Sequence, residues 1–384
     1  VVEVIGREHP ALDYMLAALR AGKNVVTANK DVVAEHGKEL FDLAAEKHVD
    51  FLFEAAVAGG IPIIRPLKES LAANRIDQIM GIINGTTNYM LTKMTEDHMD
   101  FAEVLKEAQD KGYAESDPTA DVGGWDAARK LAILASIGFN SRVSLKDVSV
   151  EGIEKVSLRD IEYADDLGKS ITNEEFYQRV KNGAMPVGYV VKLLGIAKQK
   201  EGKGISVRVH PTMLPKNHPL ATVNDVFNAV FVKGEPVGET MFFGQGAGRM
   251  PTASAVCGDI LESTRNILHG CTGRVGCTCY EQKPFMGPKD IYSPSYVRML
   301  VQDRPGVWAA IATAFGDNEV SLKTVVQKRS LGNLAEIVVI THGVSEYALR
   351  KAEKALSNLS VVSRICNIIR VEDDSLNEQL KEQN

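Results

Sequence analysis

VVEVIGREHPALDYMLAALRAGKNVVTANKDVVAEHGKELFDLAAEKHVDFLFEA, residues 1–55, alternates short β-rich runs with helical patterns. VVEVI (1–5) reads as a strand, PALDYMLAALRAG (10–22) as a helix stopped by Gly22, and NVVTA (24–28) as a second strand. GKELFDLAAEKH (37–48) reads as the next helix and DFLFEA (50–55) as a third strand. Strand runs that are apolar throughout need cover on both faces, which a parallel sheet flanked by helices supplies. The segment is expected to be the second half of a doubly wound α/β sheet, where ligands bind at the carboxyl ends of the strands.

Beyond this segment the pattern changes. Helices are expected at 62–73, 88–96, 100–111 and 124–138, followed by the strand-like runs GISVRVHP (204–211), NAVFVKG (228–234) and ETMFFG (239–244). Such segregation of helices and strands indicates an α+β domain. The polar stretch 169–188 reads as a surface insertion. From about Tyr292 the order is β-α-β-β-α-β, a split βαβ pattern that suits a small regulatory module. The expected boundaries are 1–60, 61–285 and 292–373, with a polar tail over 374–384 that is expected to fray.

Composition narrows the function. Hydrophobic residues at 45% and charged residues at 24% of 384 positions allow two or three domains with ordinary cores. A net charge of −6 with no clustered basic stretch argues against nucleic acid as the main partner. No apolar run approaches the roughly 20 residues that span a bilayer, so no membrane partner is expected. Five cysteines are too few, and odd in number, for a disulfide scaffold. Cys271, Cys277 and Cys279 have a spacing that fits no usual zinc set, and are expected to be free thiols. The chain opens at Val1 inside a strand pattern, so the start of the protein is expected to lie upstream.

The densest chemical cluster is GYAESDPTADVGGWDAARKLAIL (112–134). Helical periodicity begins near Trp125, with Ala128, Leu131, Ala132 and Ala135 as an apolar stripe. Asp126 and Lys130 are four apart and share a helix face. Taken alone, such a pair is ordinarily a solvated ion pair. Glu115, Asp117 and Asp121 in the loop upstream change that reading. Carboxylates suit a substrate ammonium group, and a lysine can protonate a carbonyl oxygen as it is reduced.

Four weaker signals accompany it. TANK (27–30) leaves a strand at its ligand-facing end, although Asn29 as a helix cap and Lys30 as a surface lysine are the plainer readings. FEAAVAGGIPI (53–63) leaves a strand into a small-residue loop; Glu54 and exposed carbonyls there could hold a hard cation, although a strand-to-helix turn is the plainer reading. FFGQGAGRMPTASA (242–255) places glycines before a helix, a weak phosphate signal. NGTTNYML (84–91) is a polar turn entering a helix, with Asn and Thr as caps or as a polar lining.

Together, VVTANKD, FEAAVAGGIPI, GIINGTTNYML, GYAESDPTADVGGWDAARKLAIL and GETMFFGQGAGRMPTA resemble the homoserine dehydrogenase family, in its order and at compatible spacings. QDRPGV (302–307) marks an ACT-type module, so the resemblance covers nearly the whole chain. It implies an NAD- or NADP-dependent oxidoreductase interconverting L-aspartate 4-semialdehyde and L-homoserine, in threonine, methionine and isoleucine biosynthesis. The implied architecture is an incomplete Rossmann-like parallel sheet, an α+β substrate and dimerisation domain, and a C-terminal βαββαβ ACT-like domain.

The resemblance also implies roles. Lys130 is the catalytic acid/base, Asp126 orients it and contacts substrate, and Lys30 is a second active-site lysine near the nicotinamide. Glu115 and Asp121 bind the amino end of homoserine, and Gly112 and Gly248 lie close to the cofactor. Glu54, with the carbonyls of Val57, Gly59 and Ile61, is similar to a sodium site. A homodimer or homotetramer and a threonine effector at the ACT-like domain are implied. The family opens with a G-x-G-x-x-G loop, whereas Val1 matches a strand midway through the nucleotide domain, an N-terminally truncated form. The alternative is a catalytically impaired amino-acid-binding regulatory protein without a complete cofactor site.

Overall fold

The computed structural model describes residues 1–167 and 188–373. The expected insertion, save Gly188, and the polar tail therefore lie outside the described residues.

The first unit is a three-stranded parallel sheet of β1 (Val2–Glu3), β2 (Val25–Thr27) and β3 (Phe51–Leu52), in that order. Helix α1 (Ala11–Arg20) connects the first pair and α2 (Lys30–Lys47) the second. Each expected strand is shorter than its apolar run. The residues after β3 turn at once into a 3-10 segment at Glu54–Ala56. Helix α2 starts seven residues before the expected Gly37, because the Asn29 side chain accepts from Val32 N at 3.2 Å and caps it. That earlier start brings Lys30 onto the helix.

The second unit holds β4 (Arg75–Ile82), α3 (Gly85–Glu96), α4 (Phe101–Asp110), α5 (Thr119–Val122) and α6 (Trp125–Gly138). Then come β5 (Ser149–Val150), α7 (Leu158–Leu167), β6 (Tyr189–Lys200), β7 (Gly204–Pro215), β8 (Phe227–Glu235), β9 (Gly238–Gln245) and α8 (Arg249–Leu268). Strands β4 and β6 were not expected: RIDQIMGI and YVVKLLGIAKQK mix polar and apolar residues without clean alternation. In place of an expected helix over 62–73, a π-helical turn spans Pro66–Ser70. On α6 the expected stripe is fully buried: Ala128, Leu131, Ala132 and Ala135 have no exposed surface.

The third unit runs β10 (Tyr292–Ser293), β11 (Ser295–Gln302), α9 (Val307–Gly316), β12 (Leu322–Leu331) and β13 (Leu334–Thr341). It ends with β14 (Val344–Ser345), α10 (Glu346–Ser357) and β15 (Val362–Val371), the βαββαβ order read from the sequence with two short added bridges. It has its own core, centred on Val297, Met299, Ile311, Phe315, Ile337 and Val339.

One sheet crosses both units. Its order is β12-β13-β11-β15-β7-β6-β4-β8-β9, with β5 also pairing β7. The junction is a parallel pairing of Arg370 with Thr212 and Val371 with Met213. A buried ionic network reinforces it. Asp160 of α7, fully buried, accepts from Arg298 Nε at 2.7 Å, Tyr296 Oη at 3.1 Å and Asn367 Nδ2 at 3.1 Å. Arg298 also donates to Glu336 at 2.9 Å, which accepts from Tyr163 Oη at 2.7 Å.

Candidate active site

Helix α6 carries the cluster because its start is locally specified. Gly124, with φ +81°, precedes it in the left-handed region that side chains avoid. Gly124 N donates to the carbonyl of Asp121 at 2.9 Å, which ties the start of the helix to the segment that carries Asp121. Asp126 falls in the first turn, where the helix dipole favours a negative charge. Lys130 follows one turn later on the same face.

The Lys130 ammonium is held at two points. It donates to Asp126 Oδ2 at 2.7 Å and to the carbonyl of Ile83, just past β4, at 2.8 Å. Only 12% of its side chain is exposed. Lys30, at the start of α2, lies 3.4 Å from Asp126 Oδ1. The Asp126 carboxylate thus sits between two ammonium groups from different units. Burial alone would raise its pKa; the charges of Lys130 and Lys30, with hydrogen bonds from Lys130 and Asn84, outweigh burial and hold it at about 2.

Asn84 completes the constellation. Its Oδ1 accepts from Thr87 N at 2.9 Å and caps α3. Its Nδ2 donates to Asp121 at 2.7 Å and to Asp126 at 2.9 Å. One side chain therefore starts a helix and spaces two carboxylates. Burial pushes the Asp121 carboxyl up, and the Asn84 bond opposes that. Adjacent to this group, Arg129 Nε pairs with Asp31 at 3.1 Å, a further tie between α6 and α2.

The structure brings Lys30, Asp121, Asp126 and Lys130 together, and adds Asn84 and the Ile83 carbonyl. The capping reading of Asn84 was sound but incomplete; nothing in a capping pattern shows where the amide's other end points. Glu115 is exposed on the same loop, close enough for its charge to be felt at Asp121. Gly112 and Gly248 lie on exposed loops, after α4 and before α8, and neither is hydrogen-bonded to the lysine–carboxylate group among the described residues.

Glu54 has a different environment. Its Oε1 accepts from Ile63 N at 2.6 Å and Ile64 N at 2.7 Å, and its Oε2 from Arg65 N at 2.8 Å. The carboxylate folds the loop back onto the start of the π-helical turn. Within that loop Ala58 and Gly59 both have positive φ, and a Cβ on Gly59 would lie 2.6 Å from the Gly246 carbonyl oxygen. The loop packs directly on the glycines before α8, with Gly60 N donating to Gln245 O at 3.1 Å. No backbone hydrogen bond engages the carbonyls of Val57, Gly59 and Ile61 among the described residues. Nearby, burial lifts the Asp259 carboxyl to about 6, against hydrogen bonds from Glu54 N and Arg65.

A family model described as "Homoserine dehydrogenase" matches residues 62–261. A second, "Homoserine dehydrogenase, NAD binding domain", matches 1–54, and the ACT domain model matches 295–361. A Bacillus subtilis homoserine dehydrogenase is 45% identical over 374 residues, covering 97% of this chain and 82% of that protein.

The chain belongs to the homoserine dehydrogenase family.

Among solved structures, a homoserine dehydrogenase from Thiobacillus denitrificans matches with a TM-score of 0.87 and 40% identity, over 97% of this chain and 82% of that one. A hyperthermophilic archaeal homoserine dehydrogenase mutant in complex with NADPH matches with a TM-score of 0.56 and 28% identity, over 69% of this chain and 72% of that one. As a homoserine dehydrogenase family member, the chain is an oxidoreductase with an NAD-binding domain, a catalytic domain and an ACT domain. The alternative of an impaired regulatory protein is not favoured by these matches. No helix among the described residues is long and apolar enough to cross a membrane, and the five cysteines are free thiols.

Proposed function

We propose that the Asp126–Lys130 pair moves the proton in the NAD- or NADP-dependent interconversion of L-aspartate 4-semialdehyde and L-homoserine. The observation that carries this reading is the tethering of Lys130. An ammonium has three N–H donors. Asp126 and Ile83 take two, so the third is the one that meets the substrate oxygen.

Residues at the carboxyl end of β2 would hold the nicotinamide, which would supply or take up the hydride. The residues there suit it: β2 runs straight into Asn29 and Lys30, the place where open parallel sheets bind ligands. As the carbonyl becomes an alkoxide, Lys130 stabilises the charge and donates a proton, and in oxidation it takes the proton back. Asp126 keeps the lysine oriented, and Lys30 adds positive charge where the oxyanion develops. Asp121 and Glu115 hold the substrate ammonium. Gly112 and Gly248 would lie close to the bound cofactor, and NADPH in the archaeal relative supports a phosphorylated dinucleotide.

The free carbonyls of Val57, Gly59 and Ile61 suit a sodium ion, a hard cation that takes oxygen ligands. Glu54 would share in it through the lone pairs its three backbone bonds leave over. In this reading the ion's work is to hold the 57–61 loop against α8. The units divide at 1–60, 61–285 and 292–373, with the middle unit forming a homodimer or homotetramer. The ACT-like unit takes an amino-acid effector, threonine, and free thiols suit a cytoplasmic enzyme.

The test is a substrate panel followed by nicotinamide absorbance. L-aspartate 4-semialdehyde should be reduced, and L-homoserine oxidised, far faster than other amino-acid semialdehydes and hydroxy-amino acids. Equal rates across the panel would contradict the assignment.

A further inference from the structure

The segment that follows α8, residues 269–286, carries the pair Cys277-Thr278-Cys279, which the proposed dehydrogenase chemistry does not use. It crosses the seam between the first and second units. Thr272 Oγ1 donates to the carbonyl of His48 at 2.8 Å, and Gly273 N to Asp50 Oδ1 at 2.7 Å. Lys68 Nζ donates to the carbonyl of Gly276 at 2.9 Å, and Glu281 N to that of Asn140 at 2.9 Å.

The two sulfurs have opposite surroundings. Cys277 is exposed, and its Sγ accepts from Cys279 N at 3.4 Å and from Arg142 Nη2 at 3.5 Å. Cys279 is half-buried, and its Sγ donates to the Ser136 carbonyl of α6 at 3.5 Å. The Cys279 thiol first, then its backbone N–H and the charges of Arg142 and Lys68, outweigh burial and draw the Cys277 pKa down. The neighbouring sulfur and burial push Cys279 up. One sulfur is therefore set up as a thiolate, the reactive form, and the other as a thiol. A cavity of about 20 Å³, room for one molecule the size of water, is lined by both cysteines, Lys68, Arg142 and Thr278. The buried Thr278 hydroxyl oxygen has no hydrogen-bond partner.

We propose that Cys277 and Cys279 form a peroxide-reactive dithiol, with Cys277 the attacking sulfur and Cys279 the resolving one. The Cys277 thiolate attacks one oxygen of hydrogen peroxide. An S–O bond forms, the O–O bond breaks, and hydroxide leaves beside the cations of Arg142 and Lys68. Cys279 then attacks the sulfenic sulfur. The S–S bond forms, the S–O bond breaks, and the departing hydroxide takes the Cys279 proton and leaves as water. Two thiols lose two electrons to one peroxide, and a small dithiol reductant restores them by exchange. Spacing permits the bridge: residues two apart lie at most about 7 Å apart between Cα atoms, and disulfides take roughly 4.4–6.8 Å. A metal ion fits less well, because no group of three or more ligating side chains occurs among the described residues.

The test treats the full chain with hydrogen peroxide at pH 7 and maps its cysteines by mass spectrometry. The expected product is a peptide holding Cys277 and Cys279 that has lost two hydrogens, reversed by dithiothreitol, while Cys257 and Cys366 stay reduced. In Cys279→Ser, dimedone should trap a sulfenic acid on Cys277. An ordinary thiol is only a few per cent ionised at pH 7, so iodoacetamide should label Cys277 about tenfold faster than the equally exposed Cys257. Circular dichroism checks the variant; if it does not fold, the wild-type map and the labelling rates decide. Oxidation of Cys257 or Cys366 first, a disulfide between copies of the chain, or equal labelling rates would each overturn the proposal.

Discussion

Lys30 Nζ lies 3.4 Å from Oδ1 of Asp126, on the opposite oxygen from the one that accepts from Lys130. The first residue of α2 and the first turn of α6 thus meet at a single carboxylate. This ties the parallel sheet, where a dinucleotide binds, to the helix that carries the proposed acid/base. Any change that separates the two units should be felt first at this carboxylate.

Removing the amine should abolish most turnover without unfolding the chain. Positioned acid/base groups are worth about 10²–10⁴ in rate. Lys130→Ala is expected to lose at least 100-fold in kcat, with a circular dichroism spectrum like the wild type. A loss below about threefold would remove Lys130 from the role.

Asn84 is a positioning residue, and two variants separate its functions. Asn84→Ala loses both the α3 cap, typically about 1 kcal/mol, and the amide between Asp121 and Asp126. Asn84→Asp keeps a capping oxygen but sets a third carboxylate beside two others. We expect the alanine variant to melt lower, and both to lose about tenfold or more in kcat/KM. An aspartate variant with wild-type kcat/KM would show that the amide bonds do not matter.

Stability should fall at acid pH through Asp126. Its folded pKa of about 2 is below the ordinary value of 3.8. A depressed carboxylate stabilises the fold fully above the unfolded pKa, and that contribution is lost as pH falls from about 4 toward 2. The shift corresponds to roughly 2 kcal/mol. Urea unfolding of Asp126→Asn across this range should show a shallower pH slope than the wild type; identical slopes would contradict the electrostatic account.

Asp160 is expected to be the most sensitive buried acid at the junction with the ACT-like unit. It accepts from Arg298, Tyr296 and Asn367 with no exposed surface. Breaking a buried pair by removing one partner costs about 3–5 kcal/mol. Asp160→Ala should lower stability by that order in chemical denaturation. A change under about 1 kcal/mol would show that the network is not a structural tie.

Much of this was legible in the residues themselves. The apolar runs of 1–55 give parallel strands under helices, and the stripe on α6 puts Asp126 and Lys130 on one face. What stayed hidden depends on long-range partners. Strands β4 and β6 carry lysines, glutamines and glycines that only the sheet's interior pairing accommodates, such as Gly81 opposite Gly195. The buried Lys192 in β6 is satisfied by Asn88, Asn224 and the Val223 carbonyl, none of which its neighbours in sequence foretell. Asn84 reads as a cap because capping is local, whereas its bonds to Asp121 and Asp126 span 37 and 42 residues. The continuity of the sheet from β7 into β15 likewise has no local signature.

The most direct measurement is a crystal structure of the chain with homoserine and an oxidised nicotinamide dinucleotide bound. The Lys130 Nζ should stand within about 3.2 Å of the homoserine hydroxyl oxygen, hydrogen-bond reach for an acid/base, with Asp126 still on its other side. A hydroxyl bound beyond reach of that nitrogen, with another side chain in contact, would contradict the proposed chemistry while leaving fold and family intact.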